Sequence, residues 1–446
     1  MIFCARLSNS FTLGAHLKMA APLPHSSVLN SDSTKYGSAL ISLTTLFFMW
    51  GFLTSFNDIL IPHLKSVFSL GYGQVMLVQS SFFIAYFLVS IPAGVLVSRY
   101  GYRKGILTGL LLASAGAFLF FPAAEMVSFS MFLLALFVLA SGITVLQVSA
   151  NPYVSILGPP ETASSRLNLS QALNSLGHTM GPMVGAFLIL GHDVLTAEQI
   201  KTLLPEQLQQ YKTEQVDLVK LPYIGLAVSL FLLMLVMAKV KLPQTLIQDT
   251  SNWVSWKNTL RNKGLLLASL AIFLYVGAEV SIGSFLVNFF SQKEIGGLSE
   301  KEAGKLVSYY WGAAMAGRFL GSYLMRTFNP RTLLSWASTG SGLLVLATVF
   351  GSGEMAMYTI LSVGLFNSIM FPTIFTIGIK GLGVLTGQGS SILVMCIVGG
   401  GIIPLIQGNI ADFWGIQMSF LLPLVCYAYI LWFAKRSDTK NDVLAE

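Results

Sequence analysis

The stretch "GVLVSRYGYRKGIL" (94–107) returns in altered form as "GSYLMRTFNPRTLL" (321–334). In both, an arginine stands five residues after a glycine, further basic residues follow, and an apolar run then restarts. A second pair of stretches, "GHTMGPMVGAFL" (177–188) and "GGGIIPLIQGNI" (399–410), repeats at a similar offset with its prolines in step. These repeats predict two related halves in parallel orientation.

The composition indicates that the two halves fold in a lipid bilayer and not in water. Of the 446 residues, 54% are hydrophobic and 10% are charged, and the mean hydropathy is +0.71. A soluble domain carries about 25% charged residues. The net charge of +7 is spread over the segments between apolar runs, which favours lipid headgroups over nucleic acid as the partner. We therefore expect an all-α polytopic membrane protein in contact with the bilayer.

Apolar windows of about 20 residues predict twelve transmembrane helices, six in each half. The predicted helices of the first half cover 39–62, 75–98, 104–122, 128–150, 168–191 and 222–239. Those of the second half cover 264–290, 304–325, 332–350, 355–379, 386–411 and 416–434.

Loop composition predicts the orientation of these helices. The loops on one side hold more lysine and arginine than the loops on the other, and such loops stay in the cytoplasm. The protein should therefore cross a bacterial-type inner (plasma) membrane many times, with both termini cytoplasmic. The predicted divisions are a disordered cytoplasmic N-terminal tail (1–38), the first half (39–240), a cytoplasmic linker (241–263), the second half (264–434) and a cytoplasmic tail (435–446).

Two further features belong to the segments outside the helices. The long outer loop 192–221 has leucines at helical spacing, which predicts a short amphipathic helix on the surface. The chain has no phosphate-cradling glycine loop, and the spacing of Cys4, Cys396 and Cys426 is not that of a metal site. We expect no cofactor, no bound metal, no ATP-driven pumping and no enzymatic activity.

Asn57 and Asp58 stand side by side in the first apolar run. An aspartate near the centre of a bilayer costs about 2.5–3.5 kcal/mol on insertion scales. The interiors of the first five predicted helices contain no lysine or arginine that could pair with it. Burial without a cation favours the protonated carboxyl, so Asp58 is predicted to carry a proton.

Other polar side chains also lie deep within predicted helices. Gln171, Asn174 and His178 share one face of the fifth helix, where the amides could bind polar groups without adding charge and His178 could either titrate or bond another helix. Glu279 is the one acid deep within the seventh helix, and either Arg318 or Lys380 could pair with it.

Several long motifs resemble the L-fucose permease and glucose/galactose transporter family of the major facilitator superfamily. They are "GVLVSRYGYRKG" (94–105), "NDILIPHLKSVFSL" (57–70), "SANPYVSILGPPETASSRLNLSQALNSLG" (149–177), "YVGAEVSIGSFLVNFF" (275–290) and "PTIFTIGIKGLG" (372–383). The resemblance implies a major facilitator fold, with twelve transmembrane helices in two six-helix halves related by pseudo-two-fold symmetry. It also implies a substrate site between the halves near the bilayer midplane.

The resemblance and the polar pattern together give a set of candidate site residues. For proton coupling they are Asp58, Glu279 and His178; for substrate binding Asn57, Gln147, Asn151, Gln171, Asn174, Asn288, Asn367 and Phe371; for the gating loop Gly94, Arg99, Arg103 and Lys104. Two positions depart from the family pattern, since Ser98 and Gln147 stand where acids are usual. An amide cannot titrate, which favours glucose, galactose or an N-acetylhexosamine over L-fucose.

The sequence thus predicts a monomeric transporter that imports a monosaccharide together with a proton by alternating access. Sodium in place of the proton stays open. The alternatives are a facilitative sugar uniporter, an exporter of another small molecule on the same fold, and a sugar sensor that does not transport.

Overall fold

The computed structural model describes residues 39–52, 55, 68, 72–189, 204–240, 243 and 252–436. It describes the backbone alone at 72–80, 182–189, 205, 208, 209, 253, 300 and 301. All regular structure in these ranges is helical. Eight helical stretches within them are long and apolar enough to cross a membrane.

The first six transmembrane segments come from helices α1 (Ala39–Phe52), α2 (Tyr72–Phe118), α3 (Phe120–Glu125), α4 (Phe129–Ile156), α5 (Ala163–Ile189) and α6 (Pro205–Lys239). Helix α2 contains the second segment and most of the third. The two meet at Gly101, whose φ of 84° lies in the left-handed region that favours glycine. Helix α3 completes the third segment.

A short helix, α7 (Trp253–Arg261), precedes the last six segments. These come from α8 (Lys263–Phe290), α9 (Glu300–Leu324), α10 (Pro330–Phe350), α11 (Gly353–Asn367) with α12 (Met370–Ile379), α13 (Thr386–Met395) with α14 (Gly399–Trp414), and α15 (Ile416–Ser419) with α16 (Leu421–Lys435). The described residues thus form twelve segments, as the apolar windows predict. Nine lie in the eight apolar stretches, because the stretch 81–125 holds two, and the other three are α1, α5 and α9, which are shorter or less apolar.

Side-chain caps fix where several helices begin. Asn262 ends α7 and, through its Oδ1, accepts a hydrogen bond from the Leu265 amide at 2.8 Å to start α8. Ser299 and Glu302 form a reciprocal capping box at the start of α9. Each cap satisfies an amide that has no partner in the first helical turn and contributes about 1 kcal/mol.

The structure corrects one sequence prediction, the separate surface helix in the outer loop. Helix α6 begins at Pro205 and continues through Pro222 into the sixth transmembrane segment. A proline removes one helical hydrogen bond, but packing holds this part of the helix in place. Tyr223 stacks on Phe120 with ring centroids 3.8 Å apart, and Lys220 pairs with Glu125 at 2.5 Å. Residues 190–203 lie outside the described ranges.

Burial in the bundle follows the pattern of a protein surrounded by lipid. Large apolar side chains such as Leu235, Phe319 and Phe350 are exposed on the outside. Polar side chains are buried inside, among them the fully buried Asn151, Asn168, Asn367, Gln388 and Gln407. Buried amides in a bilayer either find partners in other helices or face a substrate path, so the interior polar groups are the candidates for a functional region.

Glycines bring α1 and α5 close together beside that region. A Cβ atom on Gly51 would collide with the Asn174 carbonyl, and one on Gly177 would collide with the Phe48 carbonyl. The two helices therefore touch backbone to backbone, as small residues permit in membrane bundles.

We expect Gly177→Ala to destabilise the protein by about 1–3 kcal/mol, because the backbones must separate to admit a methyl group. Thermal unfolding of the purified protein in detergent measures the effect. The matched control is Gly225→Ala on α6, where nothing lies within 4 Å of the added Cβ. An equally stable Gly177→Ala protein would contradict the close α1–α5 contact.

Candidate substrate and coupling site

The first half contributes a cluster of buried amides on α4 and α5. Gln147 donates through Nε2 to the Tyr86 hydroxyl at 2.7 Å. One turn along α4, Asn151 accepts through Oδ1 from Gln171 Nε2 at 3.4 Å. No described group accepts a hydrogen bond from Asn151 Nδ2, although it is buried. The cluster therefore holds a spare donor in an apolar setting, where donors are normally paired.

Asn174 and His178 follow Gln171 along α5. Asn174 donates through Nδ2 to the Phe47 carbonyl of α1 at 2.9 Å, so its amide ties the two helices together. The His178 ring lies 6.3 Å from the Trp311 ring of α9, measured between centroids. His178 thus faces the second half, whereas Asn174 faces α1.

A buried ion pair occupies the second half. Arg318 Nη2 on α9 lies 3.6 Å from Glu279 Oε1 on α8, and the side chains are only 14% and 12% exposed. This distance is an ion pair and too long for a hydrogen bond. Of the two partners open to Glu279 from the sequence, the structure selects Arg318; Lys380 is exposed at the end of α12.

Arg318 also reaches across to the first half. Its guanidinium donates to the Ser175 hydroxyl and, at 3.5 Å, to the Gln171 carbonyl, both on α5. Within its own half, Nε donates to the Ser368 carbonyl at 3.3 Å. That carbonyl lacks a helical donor because Pro372, four residues later, has no amide hydrogen. One guanidinium therefore joins the acid of α8 to the part of α5 that carries Gln171 and Ser175.

Asn367 lies at the centre of a second network and is fully buried. Its Nδ2 donates to the Tyr310 hydroxyl at 2.9 Å, its Oδ1 accepts from Ser341 at 3.3 Å, and its carbonyl accepts from the Tyr275 hydroxyl at 3.0 Å. In this conformation the Asn367 side chain is therefore hydrogen-bonded through both its nitrogen and its oxygen. Phe371, 9% exposed, packs against Phe375 with ring centroids 6.0 Å apart.

Asn288 is a described candidate that the structure does not bring into these networks. Asn288 is exposed two residues before the end of α8. Nine residues separate it from Glu279, which places it about 13 Å along the helix and on the opposite face. Asn57 and Asp58 lie outside the described residues.

The predicted gating loop lies where α2 breaks. Gly94 is buried against α13, and a Cβ there would lie 2.5 Å from Ser391 Oγ. Arg103 donates to the Ala238 carbonyl at the end of α6 at 2.5 Å. Arg99 and Lys104 are exposed and flank the Tyr100 ring. We call the end of the bundle that carries this loop the basic-loop end.

Sequence reasoning missed the tyrosines and the serine that organise the site. Tyr86, Tyr275 and Tyr310 bond Gln147 or Asn367, and Ser175 bonds Arg318. One signal was available, since Tyr275 precedes Glu279 by four residues and so shares its helix face. The other contacts join distant segments and leave no local pattern.

Comparison with known proteins agrees with this architecture. The family model of the major facilitator superfamily matches residues 41–403. The chain belongs to that superfamily. It is 49% identical over 423 residues to the glucose/galactose transporter of Brucella abortus, which covers 93% of this chain and 98% of that protein.

A second relative has both a sequence and a structural counterpart. The chain is 36% identical over 423 residues to the L-fucose-proton symporter of Escherichia coli K12, covering 92% of this chain and 96% of that protein. The solved structure of the transporter FucP in the outward conformation superposes with a TM-score of 0.85 at 35% identity, covering 91% of this chain and all of that one. This major facilitator protein is therefore a multi-pass membrane transporter of the glucose/galactose and L-fucose transporter family and not an enzyme.

Proposed function

We propose that the protein imports a monosaccharide by proton symport, with glucose or galactose favoured over L-fucose. The observation that carries the proposal is the polar bridge through Arg318, which links Glu279 of the second half to Gln171 and Ser175 of the first. The substrate class is supported by the similarity to the glucose/galactose transporter of Brucella abortus.

The chemistry of the amide cluster suits a neutral polyol. A pyranose presents hydroxyls that both donate and accept, and amides offer both functions without adding charge. Gln147, Asn151 and Gln171 are buried together on α4 and α5, and the Asn151 donor is unsatisfied. A sugar hydroxyl reaching this cluster would accept from Asn151. Gln147 would also hydrogen-bond the sugar through its amide. Because an amide cannot titrate, other residues must carry the proton.

We assign proton carriage to Asp58. Glu279 is the second candidate for proton coupling, and His178 is the third. Arg318 and His178 both interact electrostatically with Glu279. Protonation of Glu279 would remove its attraction to Arg318, and the described partners left to the guanidinium would be Ser175 and backbone carbonyls. A proton on this acid would thereby change the contact between the halves.

We also propose how the transporter is oriented in the membrane and which of its ends is closed. The basic-loop end faces the cytoplasm, since basic loops remain there, and the halves 39–240 and 264–434 rock about the site as a monomer. Among the described residues, several side-chain hydrogen bonds join the two halves at the basic-loop end. We infer from these contacts that this end is closed, which would close the transporter to the cytoplasm.

One proton per sugar supplies sufficient energy for accumulation. A potential of about 100 mV gives about 2.3 kcal/mol per charge, and each pH unit adds about 1.36 kcal/mol. The potential alone supports roughly fiftyfold accumulation. No covalent step is needed.

Uptake of labelled sugars into proteoliposomes tests the proposal. Glucose, galactose, N-acetylglucosamine and L-fucose are compared under an imposed inward proton gradient, with a protonophore as the control. We expect glucose or galactose to accumulate above the external concentration and the protonophore to abolish the excess. Equilibration without accumulation would indicate a uniporter, and no entry of any sugar would contradict sugar transport.

A further inference from the structure

Each half carries a pair of adjacent serines at the basic-loop end. "ASSRLN" (163–168) starts α5, and "GSSILV" (389–394) lies in α13. All four serines are buried, with at most 6% of their surface exposed. Their separation of 226 positions is close to that of the repeated glycine–arginine stretches (94–107 and 321–334), so the pairs are related by the internal repeat.

The first pair binds the second half. The Ser164 hydroxyl lies 2.7 Å from the Thr376 hydroxyl of α12. Ser165 Oγ donates to the Ser322 carbonyl of α9 at 2.6 Å, and Ser322 Oγ donates back to the Ser165 carbonyl at 3.1 Å. Ser322 lies in the last turn of α9, where carbonyls lose their helical donors. Ser165 supplies one of the missing donors.

The second pair binds the first half. Ser390 Oγ donates to the Val148 carbonyl of α4 at 2.9 Å. Four residues after Val148 stands Pro152, which has no amide hydrogen, so that carbonyl has no helical donor either. Ser391 is pressed against Gly94 of α2, where a Cβ would lie 2.5 Å from its Oγ. The close fit at glycine brings Ser390 within bonding distance of α4.

We propose that the serine pairs 164–165 and 390–391 form a charge-free latch that holds the halves closed at the basic-loop end. Each latch serine that crosses the interface satisfies a hydroxyl or a carbonyl of the other half. When the halves separate, water replaces the lost donors at the Val148 and Ser322 carbonyls. The proposal depends on the transporter fold and not on which sugar or ion is carried.

The distance between two spin labels across the basic-loop end tests the latch. Labels are attached at Glu161→Cys and Thr327→Cys, which are exposed loop positions in different halves, after Cys4→Ala, Cys396→Ala and Cys426→Ala. We expect Ser165→Ala with Ser390→Ala to raise the ratio of long to short distances by roughly three- to tenfold, since each helix–helix hydrogen bond in a membrane contributes about threefold. Ser338→Ala is the matched control, because the described acceptors of that buried serine are two carbonyls of its own helix.

Two further results separate a latch from a folding defect. The ratio should change less than twofold between low and high salt, because screening acts on charges and these contacts have none. A disulfide between Ser164→Cys and Thr376→Cys, formed before labelling, should leave only the short distance. An unchanged ratio in the double alanine variant, or a long distance that persists in the oxidised pair, would overturn the proposal.

Discussion

Asp58→Asn is expected to abolish gradient-driven sugar accumulation while leaving sugar exchange across the membrane intact. Asparagine keeps the shape of the aspartate and, like the protonated acid, both donates and accepts hydrogen bonds, but it cannot bind and release a proton. Substrate exchange needs only the rocking of the halves, whereas accumulation needs the proton. Labelled-sugar uptake under a pH gradient and counterflow without one measure the two activities in the same proteoliposomes.

The comparison with Glu279→Gln identifies which acid carries the proton. If Asp58→Asn accumulates sugar as well as the wild type does, Asp58 is not the carrier and coupling belongs to Glu279 or His178. If both activities disappear together, the substitution has damaged binding or folding.

Arg318→Met is expected to cost roughly 3 kcal/mol of stability, because it leaves the Glu279 carboxylate buried without its cation. The pair is only 14% and 12% exposed, so solvent compensates little. Glu279→Gln should cost less, since Arg318 keeps Ser175 and two carbonyl acceptors. Removing both charges together should restore part of the loss, because the unpaired charge is then gone.

A double-mutant cycle by thermal unfolding in detergent measures this coupling. The matched control is Lys220→Met, which breaks ion pairs with Glu125 and Asp217 near the surface and should cost less than about 1 kcal/mol. Additive losses for Arg318→Met and Glu279→Gln would show that the two charges do not stabilise each other.

The fold could be predicted from the sequence because its main determinants are local. The length of the apolar runs predicts the number of transmembrane segments, and the repeated loops predict their division into two halves. The positions at which a helix breaks within a segment are harder to predict from the sequence. Neither the division between α11 and α12 nor the continuation of α6 through Pro222 follows from hydropathy, because packing against neighbours decides whether a proline or glycine ends a helix.

The sequence predicts which polar residues lie in the candidate site, but it does not predict which residues they hydrogen-bond. Gln147, Asn151, Gln171 and Glu279 are conspicuous as polar residues in apolar runs. Their partners were not, since Tyr86 lies 61 residues from Gln147 and Ser175 lies 143 residues from Arg318. Serines and tyrosines are common in membrane helices, so only the tertiary fold shows which of them bind.

Proton movement driven by sugar tests the central claim most directly. Proteoliposomes containing a pH-sensitive dye are given an external excess of glucose or galactose, with no initial pH difference and with the membrane potential clamped. Proton symport predicts that the lumen acidifies as sugar enters, and that Asp58→Asn removes the acidification. Sugar entry with no change in internal pH would contradict proton coupling.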